Sequence, residues 1–450
     1  MSEECSVHQN AAVEGERPRF SHGAHLLGAL AAKRGLPMGV HLQIADRCNH
    51  ACVHCYQIQG LKGELDLAGV CRVIDDLAEA GVLALSVSGG EATLRPDLLD
   101  ILRHARGRGF AIRLYTNGFT VDAKLAGALA EIGLLEVHVS VYSTLAEEHD
   151  AVTRVPGSLQ KTLSGVRRMR EAGLRVILKT PMVALACQGA AGVKALAASM
   201  GCGFSAGTDL TAMEDGSLDP LAVRAGNEQL AQAGLLKGWV PGPEQARLHE
   251  ERLGQAACGV GASGVVVLPN GDVLPCTDTP VVLGNLTTAK LNTVLNETPD
   301  AALFRGLTLG DVHGCRDCAL LVGCKRCHAT ALHEGGDYLG PYLSACDRTL
   351  ARYALGLGHA VTVLDPAEGC DATRDRRVGP FEILSPGVVL PVVDRITEED
   401  QQRADAFRWV RKKSPDMSGQ IVTLRRKDGA PLRSEMNNAA GAGATPGKNV

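Results

Sequence analysis

The sequence predicts an α/β protein: a partial (β/α)6 barrel followed by a small cysteine-rich domain built from a β-hairpin and helices. Three observations carry this. Between residues 39 and 210 short β-rich runs alternate with amphipathic helical stretches, the pattern of a parallel sheet with right-handed crossovers. Six such units are present, fewer than the eight that close a barrel. After residue 258 the alternation stops and cysteine spacing takes over.

The β-rich runs are "GVHLQIA" at 39–45, "VLALSVSG" at 82–89, "FAIRLYTNG" at 110–118, "LEVHVSVYS" at 135–143, "RVILKTPM" at 175–182 and "CGFSAGTDL" at 202–210. Between them lie "AGVCRVIDDLAEAG" (68–81), "DLLDILRHARGRG" (97–109) and "SLQKTLSGVRRMREAG" (158–173). The last sets Leu159, Leu163, Val166 and Met169 at helical spacing, with Gly173 as its stop. In such a sheet, ligands gather at the C-terminal ends of the strands. Residues 1–38 form an N-terminal extension, 39–210 the barrel, and 211–257 a helical connector. Residues 258–350 form the cysteine-rich domain, opened by the hairpin "GVVVLPNGDVLPC" with Asn270-Gly271 as its turn. Residues 351–450 are a C-terminal extension, with one helix over 397–413 and a compositionally disordered tail, "NNAAGAGATPGKNV". No internal repeat is present.

The chain has 450 residues, enough for two or three domains, and a 45% apolar fraction that can bury a large core. Its formal net charge of −4 gives no global attraction to nucleic acid. No run reaches the length of a membrane span, and "MSEECSVHQN" lacks a signal-peptide pattern. A cytoplasmic protein with no nucleic-acid or membrane partner is expected. Its fifteen cysteines are the anomaly. Without an export signal, clustered cysteines point to metal rather than disulfides. Cys5, Cys71, Cys187, Cys202 and Cys370 are scattered and read as buried small hydrophobes or incidental thiols.

Directly after the first β run, "CNHACVHC" places Cys48, Cys52 and Cys55 within one short loop. Three thiolates can hold three irons of a cubane and leave the fourth iron open to a non-protein ligand. The competing reading is zinc, or a four-cysteine cluster with a remote ligand.

With Tyr56 next in line, this CxxxCxxC loop resembles that of the radical S-adenosylmethionine (SAM) enzymes. The resemblance covers about residues 39–210. It implies a [4Fe–4S] cluster whose open iron chelates the amino and carboxyl groups of SAM. Reductive cleavage then yields a 5′-deoxyadenosyl radical. Further motifs follow at the ends of successive β runs. Gly89 and Gly90 let the backbone approach a ligand closely, and Glu91 accepts the cofactor's ammonium group. Thr116 and Asn117 of "YTNG" would contact the nucleoside, Ser140 the ribose, and Arg154 the cofactor carboxylate.

Downstream, Cys258, Cys276, Cys315, Cys318, Cys324, Cys327 and Cys346 are similar in spacing to the SPASM extension of radical SAM peptide-modifying enzymes. "CKRC" has two residues between its cysteines where that family has three. The resemblance implies two auxiliary clusters. One would be held by Cys315, Cys318, Cys324 and Cys346. The other would be held by Cys258, Cys276 and Cys327 with an unassigned fourth ligand. His313 and His328 lie near the cysteines and could substitute, although each reads first as a solvated histidine. The spacing of these CxxC pairs also permits a double zinc ribbon.

SPASM proteins mostly modify peptides and proteins, so the resemblance implies a peptide or protein substrate and an oxidoreductase. It also implies an external electron donor of the flavodoxin or ferredoxin type. Residues 1–38 are too few for a winged-helix leader-binding domain, so a separate leader-peptide-binding protein is expected, or else the 360–430 region. In sulfatase-maturing members an aspartate directly follows the second SPASM cysteine. Here Thr277 stands there and Asp278 comes one later, on the opposite face if the strand continues, which ranks that activity low. A tetrapyrrole- or small-molecule-directed radical enzyme and a non-catalytic iron–sulfur electron carrier are the alternatives. The intact triad and Gly-Gly-Glu argue against the carrier.

Overall fold

The computed structural model describes residues 37–60, 62–240, 249–260, 264–279, 281–313, 315–316, 318 and 320–356. The helix expected over 397–413, the tail, nearly all of the N-terminal extension, Cys5 and Cys370 lie outside them. The described residues form two compact units. One holds residues 37–237 with Ala256–Leu307, and the other Gly238–Gln255 with residues 308–356.

The first unit contains all six expected strands: β1 Gly39–Ala45, β2 Ala84–Gly89, β3 Ala111–Thr116, β4 Glu136–Ser140, β5 Val176–Pro181 and β6 Gly203–Gly207. They pair in parallel in chain order. The sheet continues past β1 with β7 (Gly264–Val267), parallel to it, and antiparallel β8 (Asp272–Leu274) and β9 (Gly284–Asn285). Its edges are β6 and β9, so it is open. The hairpin expected to open the second domain thus extends the barrel's own sheet. An unpaired β1 would present a row of unsatisfied backbone groups, and β7 covers it.

Helix Leu67–Glu79 is capped by Asp66, which accepts from the Gly69 amide at 2.7 Å. Within this helix Asp76 is buried and accepts from the Leu291 amide at 2.8 Å, which ties helix Leu291–Glu297 to the barrel. Helix Ser158–Glu171 ends two residues before Gly173, as its pattern predicts. Its buried face differs in one position: Leu159, Val166 and Met169 are buried, but Thr162 and Gly165 join them while Leu163 stays half-exposed. Connector 211–257 contains the short helices Asp219–Ala222, Asn227–Gln232 and His249–Leu253. Among the described residues no helix is long and apolar enough to cross a membrane.

The two faces of the sheet differ. Leu85, Val87, Leu114, Val137, Val139 and Leu178 have no exposed surface; each contributes about 1.5–3 kcal/mol by burial. Most of the alternate positions are polar: His41, Gln43, Ser86, Ser88, Arg113, Tyr115, Glu136, His138, Ser140 and Lys179, with Ile177 among the exceptions. Their cross-strand registers place them on one common face. Parallel sheets are ordinarily apolar on both faces. Here one face supplies the stability, which leaves the other available for binding.

The second unit is small. Leu320, Leu350 and Tyr353 form one core cluster with Trp239 and Cys318 against it. Ala331, Tyr342 and Ala345 form another with Cys324. Two of its thiols, Cys318 and Cys324, are therefore part of its packing.

Candidate active site

The cysteine loop leaves the C-terminal end of β1 and is fastened from two sides. The Ala51 and Val53 amides donate to the carbonyls of Thr153 and Val152 at 3.2 and 2.9 Å, the last residues of helix Ala146–Thr153. On the other side the Gly90 and Glu91 amides donate to the Ala45 and Arg47 carbonyls, each at 2.8 Å. A Cβ on Gly89 would stand 2.4 Å from the Ala45 oxygen, and Gly89 has φ 145°; one on Gly90 would stand 2.3 Å from the Arg47 oxygen. The paired glycines are thus required by the cysteine loop's own backbone, a partner the sequence did not identify.

Beyond the cysteines, the Ile58 amide donates to Glu214 at 2.9 Å, and Lys62 bridges Asp46 and Glu214 at 3.4 and 2.6 Å. Gln59 accepts from the Cys48 amide at 3.2 Å.

Burial pushes the Cys48 thiol up to about 11 and the Cys52 thiol up to about 12; the charge of Cys55 adds to both, and that of Cys48 to Cys52. The three thiols therefore sense one another. As ligands they must be deprotonated, and three neighbouring thiolates repel unless a cationic group binds them. Among the described residues no three His, Cys, Asp or Glu side chains converge as around a single ion. A cluster of several irons takes one thiolate per iron, so its ligands need not converge on a point. The donors fit an iron–sulfur cluster.

Glu91 is buried. Its Oε1 accepts from the Thr93 amide and hydroxyl at 3.0 and 2.6 Å and from the Thr116 hydroxyl at 2.6 Å; its Oε2 accepts from the Asn117 amide at 2.7 Å. A carboxylate has about four lone-pair positions, and the crowding falls on Oε1, so Oε2 keeps room for a ligand ammonium. Asn117 also reaches the cysteine loop, donating from Nδ2 to Asn49 at 2.7 Å. Glu91→Gln keeps one acceptor oxygen but turns an N–H toward the Asn117 amide, at a cost of about 1–3 kcal/mol. Thermal unfolding of this variant should show that loss, with weaker SAM binding by equilibrium dialysis. Unchanged affinity would place the pocket elsewhere.

Ser140 hydrogen-bonds the Tyr142 phenol, whose hydroxyl lies 3.9 Å from the Cys52 sulfur. Arg154 is exposed, directly follows the helix that holds the loop, and has φ 58°, the one positive φ outside glycine among the described residues. It is the C-cap of that helix, where a left-handed residue ends the helix. Tyr142 itself was not anticipated, nor were His54, edge-on to its ring at 5.0 Å, and His149, packed on it at 5.3 Å. Burial lowers both histidines to about 4.

The later cysteines divide between the units. Cys258 and Cys276 belong to the first, and Cys315, Cys318, Cys324, Cys327 and Cys346 to the second. Burial pushes the Cys315 thiol up, with Cys324, Cys346 and Cys318 adding to the rise and Arg326 opposing it, so those four thiols sense one another. None of the described cysteines is in a disulfide; Cys71, Cys187 and Cys202 are half-buried. Two expectations are corrected. His313 and His328 are buried rather than solvated: His313 faces Asp337 at 2.7 Å, and Arg326 donates to His328 Nδ1 at 2.7 Å. Thr277 and Asp278 lie in a turn beyond β8, so strand alternation does not turn Asp278 away. Its charge reaches Tyr56, next to Cys55.

Residues 42–186 match the Radical SAM superfamily, and residues 258–327 match SPASM, an iron–sulfur cluster-binding domain. The chain is 36% identical over 136 residues to the Fe-coproporphyrin III synthase of Methanosarcina barkeri, 30% of this chain and 34% of that protein. It is 28% identical over 337 residues to the PqqA peptide cyclase of Xanthomonas campestris pv. campestris, 70% of this chain and 88% of that protein. In fold it is similar to Streptococcus suis SuiB bound to precursor peptide SuiA, with a TM-score of 0.54 and 14% identity over 71% of this chain and 79% of that one.

Proposed function

We propose, for a chain that belongs to the radical SAM superfamily and carries the SPASM iron–sulfur domain, that its substrate is a peptide or protein from which it abstracts hydrogen. One observation carries this reading: the likeness to the peptide cyclase runs over 337 residues, whereas that to the porphyrin synthase runs over 136. The higher identity of the shorter match, 36% against 28%, favours a tetrapyrrole substrate as the second reading.

When bound, an iron–sulfur cluster and SAM supply reductive carbon–sulfur cleavage and a hydrogen-abstracting radical. Cys48, Cys52 and Cys55 would hold that cluster. Glu91, kept in place by Thr116 and Asn117, would take the cofactor's ammonium, Ser140 its ribose and Arg154 its carboxylate. Gly89 and Gly90 set the distance between Glu91 and the cysteine loop. Cys315, Cys318, Cys324 and Cys346 would hold one auxiliary cluster, and Cys258, Cys276 and Cys327 would serve the other. An external electron donor and a separate leader-binding protein belong to the same reading.

The test is co-expression with short open reading frames encoded beside the gene, followed by mass spectrometry of each peptide. A peptide lowered in mass by a pair of hydrogens is expected. Modification of a porphyrin precursor, with every such peptide unchanged, favours the second reading. Cys276→Ala and Cys327→Ala should each still release 5′-deoxyadenosine while losing peptide modification. Wild-type modification by both would deny the auxiliary cysteines a catalytic role.

A further inference from the structure

The polar face of the sheet carries a lysine with no counter-charge among the described residues. Lys179 on β5 stands in register with Ser140 of β4 and Ser205 of β6, and so shares their face. Its Nζ lies 5.2 Å from the centre of the Tyr115 ring. Tyr115 is itself stacked on His138 at 4.6 Å and on His41 at 6.1 Å. Among the described residues no carboxylate pairs with Lys179. The carboxylate in register on this face, Glu136, is engaged by Arg113 at 2.7 Å and by His138 at 3.0 Å.

Burial holds the Lys179 ammonium below its ordinary range, and burial with the Lys179 charge lowers His41 to about 4. His41 is therefore neutral and adds no second positive charge. Desolvating an ammonium is costly unless it is paired, and a ring face compensates only part of that cost. Among the described residues the face is left with one unpaired positive charge, a half-buried cation above an aromatic floor, with the Ser140 hydroxyl beside it. An arriving carboxylate would complete the pair. It would do so one strand away from Ser140, whose Tyr142 partner touches Cys52.

We propose that Lys179, with Tyr115 beneath it, binds a carboxylate of the substrate and so determines which part of the substrate faces the radical site. The proposal rests on the reading that the chain acts on a peptide, where an Asp or Glu side chain carries that group. The same chemistry is offered by a porphyrin propionate.

The experiment is isothermal titration of the anaerobically reconstituted full chain with four probes: Ac-Ala-Glu-Ala-NH2, Ac-Ala-Gln-Ala-NH2, coproporphyrin III and its tetramethyl ester. The glutamate peptide should bind about ten- to a hundredfold more tightly than the glutamine peptide, the worth of one charge-assisted contact. Lys179→Gln should erase that preference and Lys179→Arg keep it, with thermal unfolding confirming that both variants are folded. Equal binding of the two peptides by the wild type, together with equal binding of the porphyrin and its ester, overturns the proposal. So does a preference that survives in Lys179→Gln. Discrimination between the porphyrin and its ester without discrimination between the peptides keeps the carboxylate site and rejects the peptide substrate.

Discussion

Replacing Cys48, Cys52 and Cys55 together by Ala is expected to abolish SAM cleavage and to remove about a third of the iron from the reconstituted protein, which should hold about twelve irons as three cubanes. The fold should survive the change. The loop's backbone is held by the Val152 and Thr153 carbonyls and by the Gly90 and Glu91 amides, none of which involves a thiol. Iron analysis, deoxyadenosine release under strong reductant and circular dichroism separate these effects. Cleavage that persists in the triple variant would remove the assignment of this loop. Zinc without iron in the wild type would remove the iron–sulfur reading altogether.

Gly90→Ala is expected to damage the same site without removing a ligand. The new methyl would lie 2.3 Å from the Arg47 oxygen and 2.6 Å from the Arg47 carbonyl carbon. Both are backbone, so neither can swing aside as a side-chain tip would. The Gly90–Ala45 and Glu91–Arg47 hydrogen bonds must open, and Cys48, the next residue, must move. The cost is about 3 kcal/mol, which for a chain of 450 residues lowers the melting temperature by about 3 °C. Gly127→Ala is the control. Gly127 lies inside helix Ala123–Ile132, and a Cβ there would meet nothing within 4 Å, so it should stabilise by about 0.5–1 kcal/mol. Full iron content and an unchanged melting temperature in Gly90→Ala would show that the two loops are not locked together.

Much of the candidate site was legible because its thiols are local. Cys48, Cys52 and Cys55 share one loop, and the residues after β2, β3 and β4 converge because parallel strands bring their C-terminal ends to one edge. The six strands were legible for a related reason: short β-rich runs separated by amphipathic helices leave few other topologies. Even the polar face was present in the sequence, as His41 and Gln43, Arg113 and Tyr115, or Glu136 and His138 at every second position of their strands.

What the sequence determined by itself was therefore the chemistry: thiols at cluster spacing, a Gly-Gly-Glu after the second strand, and six βα units to carry them. Tertiary structure alone decided what those residues touch. It set Gly89 and Gly90 against the cysteine loop's backbone and filled most of Glu91's acceptor positions with Thr93, Thr116 and Asn117. It joined the β7–β8 hairpin to the barrel's sheet through β1, buried His313 and His328, and gave Lys179 no carboxylate among the described residues. The physical reason is the same in each case. Spacing along the chain records which groups can share a loop or a face, but desolvation and pairing depend on residues far away in sequence, and these meet only when the sheet is assembled.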